Sequence, residues 1–149
     1  MADSSDFRLS RYPGSWRGGE PRVFAVHAED ELRRYFNLDG ANVLTVAYEG
    51  GGLNNAFNAI AKAANVSDNS SFQALLENLS ELSEQQPLVV YLHRADRLLA
   101  DVGPALIHVM TGWERFVRHG AGVHPMYLVV EIGPRATVHA AFYPGGKVD

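Results

Sequence analysis

The chain has 149 residues, of which 46% are hydrophobic, 10% aromatic and none cysteine, and its formal net charge is −4. Those values describe a globular protein that buries one core without metals or crosslinks. They exclude a disulfide framework and thiolate metal sites, and they argue against a nucleic-acid partner, because phosphate recognition needs a basic surface.

Residues 1–20 are rich in Ser, Gly and Arg and read as a tail or a surface arm that Tyr12 and Trp16 would anchor. The first ten residues, MADSSDFRLS, lack the apolar centre of a secretory signal. Apolar stretches such as Pro87 to Leu92 are too short to span a bilayer. The expected localisation is therefore cytoplasmic, with no membrane partner, and the N-x-S sequons at Asn65, Asn69 and Asn78 then have no glycosylation route. Val23 to Val26 is a short apolar run that suits a strand, and Leu32, Tyr35 and Phe36 give Glu29 to Asn37 helical spacing before Asp39-Gly40.

Val43 to Tyr48 is short, β-branched and mostly apolar, as a buried parallel strand should be. A Glu49-Gly50-Gly51-Gly52 loop follows, and then Leu53, Phe57, Ile60 and Ala64 mark one face of a helix. After a turn over Val66 to Ser70, a second helix starts near Ser71, with Phe72, Leu75, Leu76, Leu79 and Leu82 as its apolar residues. Pro87 to His93 reads as a strand and Arg94 to Asp101 as a short helical turn. Asp101 is expected to cap a helix with Pro104 in its first turn, whose buried stripe is Leu106, Met110, Trp113 and Val117 and which Gly120 ends. Pro125 to Ile132 is a further strand, and Thr137 to Phe142 suits a short final one. Strands alternating with helices predict an α/β fold, a small and mainly parallel sheet of three to four strands covered by helices. Residues 1–42 would form an arm and an extra strand–helix extension of one compact domain whose main part is 43–149.

Few motifs carry chemistry. The glycine loop sits where phosphate-cradling loops lie, but it contains no lysine and matches neither phosphate-binding fingerprint. Val89 to Leu99 resembles the Walker B region of AAA-type ATPases, yet His93 and Arg94 stand where a magnesium site needs carboxylates. The six histidines, His27, His93, His108, His119, His124 and His139, form no strong metal-binding spacing and read as surface or capping residues. His119 suits a helix C-terminus. No cofactor and no enzymatic activity are expected. A degenerate nucleotide-binding domain built on Gly50–Gly52 and Val89–Asp96 is the enzyme-class alternative, and a scaffold module using Trp16 is a third reading.

The segment after Ser67 is more informative. Gln73, Glu77, Glu81 and Glu84 follow a four, four, three spacing along the helical face opposite the leucines. No lysine or arginine occurs between Lys62 and Arg94, so no local charge neutralises that face. Like charges four apart destabilise a helix slightly, whereas a basic partner would gain steering and hydrogen bonds from them. Gln73 also has a local role available, because Ser70 and Gln73 make the S-x-x-Q of a capping box.

The run from Val43 through Ile132 resembles the barstar-type ribonuclease inhibitors and related toxin immunity proteins. The shared pattern is strand, helix, polar turn, a helix reading F-Q-A-L-L-E-N-L, apolar strand, a helix with a tryptophan, and a final apolar strand. The family's second helix typically reads N-W-D-A-L-x-D-x-L after a Tyr-Phe-Gly turn, and Ser71 to Leu79 falls on it position by position. Phe72 stands at the aromatic, Ala74 and Leu75 match, and Glu77 stands at the principal acidic contact. Gln73 replaces the other Asp, and Ser67 to Asn69 replace the turn. The resemblance implies a barstar-like fold and an inhibitor whose helix carboxylates take the place of substrate phosphates in the active site of a basic toxin, a nuclease being the first expectation. Glu77 would carry most of that contact, with Glu81 beside it and Asp68 in the preceding loop. Phe72 and Gln73 flank them, and Leu76 and Ser80 would add contact area if exposed.

Overall fold

The computed structural model describes residues 23–35, 38, 40–66, 71–119 and 126–133. The N-terminal arm, Asp68, Gly120 and the expected strand at Thr137 to Phe142 lie outside them. In chain order the elements are β1 (Val23–Val26), α1 (Glu29–Tyr35), β2 (Asn42–Ala47), α2 (Leu53–Ala64), α3 (Phe72–Ser83), β3 (Leu88–His93), α4 (Ala95–Val102), α5 (Ala105–His119) and β4 (Met126–Glu131).

The four strands form one all-parallel sheet in the order β1-β4-β3-β2. β3 and β4 are the central strands, and their near-continuous apolar sequences LVVYLH and MYLVVE suit burial on both faces. The strand of the N-terminal extension is therefore part of the same sheet, with Val23 opposite Leu128.

The two faces are covered differently. On one, Val46, Val90, Leu92, Leu128 and Val130 pack against α2, α3, α4 and α5. On the other, Phe24, Val26, Val89, Tyr91, Tyr127 and Val129 form a smaller cluster with Leu32 of α1. Strict alternation along each strand sorts the side chains to these faces. The expected stripe of α5 is present: Leu106, Met110, Trp113 and Val117 are all buried. Trp113, the largest of them, satisfies its indole by donating from Nε1 to the Met126 carbonyl at 3.3 Å. Full burial of each such side chain stabilises the fold by roughly 1.5–3 kcal/mol.

Two local expectations are corrected. Arg94 to Asp101 holds a complete helix, α4, extending to Val102, and Asp101 lies inside it and not at the cap of α5. Gly103, at φ 59°, ends α4 instead, and its carbonyl accepts from the Leu106 amide. Along α2 the buried positions are Ala56, Ile60, Ala61 and Ala64, whereas Leu53 and Phe57 are only half-buried at the rim.

Candidate functional site

α3 is an amphipathic helix whose two sides differ sharply. Its start is fixed by Ser71, which has extended backbone angles and accepts a hydrogen bond from the Ala74 amide on Oγ at 3.1 Å. Ser71 is thus the cap, and the Gln73 amide donates to the Glu77 carboxylate at 3.5 Å, while Ser70 of the expected capping box lies outside the described residues. The inward side consists of Leu75, Leu76, Leu79, Ser80 and Ser83. Ser83 hands its hydroxyl proton back to the Ser80 carbonyl at 2.7 Å, so it is buried without an orphaned polar group.

The outward side carries Gln73, Glu77, Glu81 and Glu84, all exposed. Among the described residues no ion pair involves Glu77, Glu81 or Glu84. Two of these carboxylates also sit at the unfavourable end of the helix. Glu81 is in the last turn and Glu84 is the C-terminal cap, and no basic residue stands in that turn. A negative charge there opposes the helix dipole by roughly 0.3–1 kcal/mol. Phe72 is half-buried at the head of the stripe and stacks on Phe57 of α2, with ring centroids 5.1 Å apart. Its ring also leans on α5 at Gly112, where a Cβ would come within 3.1 Å of it. Beneath this pair lies an apolar cavity of about 10 Å³, bordered by Ile60, Leu92, Leu106 and Trp113, which is space for about one water-sized sphere and far below the size of a ligand pocket.

The second concentration of polar groups is at the C-terminal end of the sheet, the end where open parallel sheets place their ligands. Here the groups are turned on one another. Tyr48 donates to the Asp101 carboxylate at 2.6 Å and accepts from the Gly52 amide at 2.8 Å, tying β2, α4 and the glycine loop together. The Asp101 hydrogen bond, and then burial, push the Tyr48 hydroxyl above its ordinary pKa. Gly50, Gly51 and Gly52 have φ of 101°, 90° and 84°, a left-handed run that no side-chain-bearing sequence would adopt without strain. Asn55 fills the loop: its amide donates to the Gly50 carbonyl at 3.1 Å, and a Cβ on Gly51 would lie 1.7 Å from the same nitrogen. Across the sheet, the Glu131 carboxylate accepts from the Tyr91 hydroxyl and lies 2.9 Å from His93 Nδ1. Burial first, then the hydrogen bond to Glu131 and the charges of Glu131, Glu29 and Glu31, push the Tyr91 hydroxyl far above its ordinary pKa. Arg94, the next residue, takes a left-handed conformation at φ 62° as the cap of α4. His93 and Arg94 therefore turn the chain where a nucleotide-hydrolysing strand would carry carboxylates.

Of the expected contact residues, Gln73, Glu77 and Glu81 share one exposed face, with Phe72 at its edge. Leu76 and Ser80 do not: they are 2% and 7% exposed and pack inward, so they supply no contact area. The inward face of α3 is wide enough to include both. Asp68 lies outside the described residues. Glu84, which its spacing put on the stripe but which was not among the expected contact residues, is exposed with the others, and the His93–Glu131–Tyr91 cluster, whose partners are 38 and 40 positions apart, was not foreseen from sequence. Among the described residues no group of three or more His, Cys, Asp or Glu side chains is placed to hold a metal ion, and no helix is long and apolar enough to cross a membrane. Compared with known proteins, the chain matches no family model, no curated protein and no solved structure.

Proposed function

We propose that this protein is a barstar-like inhibitor or immunity protein that binds a basic toxin and blocks its active site with the outward face of α3. The observation that carries the reading is that Glu77, Glu81 and Glu84 share one exposed helical face and form no ion pair among the described residues. Carboxylates without an ion pair among the described residues, two of them at the end of a helix where they are electrostatically disfavoured, are suited to an external cationic partner. The order of β2, α2, α3, β3, then helices including the tryptophan-bearing α5, and β4 accords with the pattern on which the resemblance rests. In this reading Glu77, Glu81 and Gln73 occupy the place of substrate phosphates against the Arg, Lys and His side chains of the toxin, a nuclease in the first instance. Phe72 contributes an apolar margin. The protein itself performs no catalysis and works in the cytoplasm.

The test is protection. Cells expressing the toxin encoded beside this protein should survive with the wild-type chain and die with Glu77→Lys, while the far-ultraviolet spectrum and melting temperature of the variant stay unchanged. A central carboxylate buried in such an interface is worth a few kcal/mol, so the purified pair should lose affinity by at least about a hundredfold. Full protection by Glu77→Lys removes Glu77 from the site.

A further inference from the structure

Among the described residues the sheet has two edges, and they differ in kind. The edge formed by β1 is only four residues long and every one of its residues is buried. The edge formed by β2 is six residues long, NVLTVA, with Thr45 and Ala47 exposed. Protein sheets ordinarily protect such an edge with lysine, proline, a bulge or a cover. β2 has no charged residue and no proline, and its pairing with β3 runs without interruption from Asn42 to Ala47.

The hydrogen bonds fix which groups face outward. The Asn42 amide donates to the Pro87 carbonyl and the Tyr48 amide to the His93 carbonyl, so the even-numbered residues of β2 bond to β3. In a parallel strand the alternate residues turn both their N–H and their C=O the other way. Val43, Thr45 and Ala47 therefore present their backbone donors and acceptors at the open edge. Among the described residues no strand pairs with that side.

We propose that β2 is a self-pairing edge, through which two copies of the chain join their sheets antiparallel about a two-fold axis at Thr45. The register follows from the outward groups. Thr45 meets Thr45 of the second copy, and Val43 meets Ala47 in both directions. All three pairs are of the narrow type in which two residues exchange both hydrogen bonds, giving about six bonds across the axis. A foreign strand would satisfy the same backbone groups, but the charge pattern favours a second copy. Two chains of net charge −4 repel unless they meet along a neutral strip. β2 is such a strip, and α2, which lies over it, has Lys62 as its single charged residue. The nearest carboxylate, Glu49, falls opposite Ala41 in this register and not opposite another acid. The acidic stripe of α3 plays no part in the contact, so the dimer and the toxin-binding reading stand or fall separately.

The experiment is sedimentation equilibrium on the whole chain. The wild type is expected at twice its 16.3 kDa mass at concentrations up to about 100 μM. Thr45→Pro removes an amide that points away from β3, so it should leave the circular dichroism unchanged. It deletes two of the cross-axis bonds and should raise the dimer dissociation constant at least about tenfold. Thr45→Lys should do the same by placing two ammonium groups face to face. Because the chain has no cysteine, Thr45→Cys provides a third readout. The paired Cα atoms of a narrow pair are about 5.5 Å apart, within disulfide range, so mild oxidation should yield a covalent dimer. Val43→Cys, whose copies lie on opposite sides of the axis, should not crosslink. A wild-type chain that stays monomeric throughout, a folded Thr45→Pro that dimerises like the wild type, or equal crosslinking at positions 43 and 45 would overturn the proposal.

Discussion

Two regions of this molecule are rich in carboxylates, and they use them in opposite ways. At the C-terminal end of the sheet each described interaction is internal: Asp101 holds Tyr48, Glu131 holds Tyr91 and His93, and Glu31 accepts from the His27 amide at 2.5 Å. On α3, Glu77, Glu81 and Glu84 form no ion pair among the described residues. The difference separates carboxylates that hold the fold from those that, on the proposed reading, await a partner. The cluster at the usual ligand-binding end of the parallel sheet is knit together by its own hydrogen bonds, and the exposed face of α3 is the candidate site.

Substitutions can sharpen or break that distinction, and their effects on stability should descend in a fixed order. Leu79→Ala empties a fully buried position on the inner side of α3 and should lower the unfolding free energy by about 2–5 kcal/mol in urea melts. Glu131→Ala leaves the Tyr91 hydroxyl buried without its acceptor and should lower it by about 1–3 kcal/mol. Adding Tyr91→Phe should recover part of that loss; no recovery would mean that Glu131 acts through another contact. Ser71→Ala removes the cap of α3 and should reduce stability by about 1 kcal/mol. The double change Glu77→Gln with Glu81→Gln should move stability by less than about 0.5 kcal/mol while weakening toxin binding. A large loss of stability from that pair would mean that the stripe belongs to the fold after all.

The tyrosines add a pH signature. Tyr48 and Tyr91 hold their protons more tightly when folded than an unfolded tyrosine, which titrates near about 10. The unfolded chain therefore releases these protons first as the solution becomes alkaline. Their contribution is fully present below pH about 10 and is lost as pH rises through the folded values. The urea midpoint should hold through neutral pH and fall above that point, and Tyr91→Phe should flatten the fall. An unchanged slope in Tyr91→Phe would assign the loss to other groups.

Much of the fold was legible because it is written locally. The runs at Val43 to Tyr48, Pro87 to His93 and Pro125 to Ile132 are β-branched and apolar enough to mark strands, and the stripe from Leu106 to Val117 marks α5 by its period. The acidic face of α3 was legible for the same reason, since four-residue spacing is a local property. What escaped was non-local. Asp101 looks like a helix cap in sequence, but its partner Tyr48 is 53 positions away. Ser80 looks like a surface residue, yet it is buried on the inward side of α3, and its carbonyl accepts from the Ser83 hydroxyl. His93 gave no sign of Glu131, because no spacing rule links two strands across an intervening pair of helices.

The pairing of β1 with β4 has a consequence for how the protein comes off the ribosome. Val23 to Val26 is among the first described segments to be synthesised, and its strand partner among the described residues, Leu128 to Glu131, is among the last. Until β4 emerges, four apolar residues have nowhere in the sheet to go, because β3 does not border them. Closure of the sheet therefore waits for β4, whose Leu128 lies 105 positions after its partner Val23, and contacts of such long range form slowly. A nascent chain stalled before Met126 would display both an orphaned N-terminal strand and the bare flank of β3, the kind of surface that holding chaperones engage.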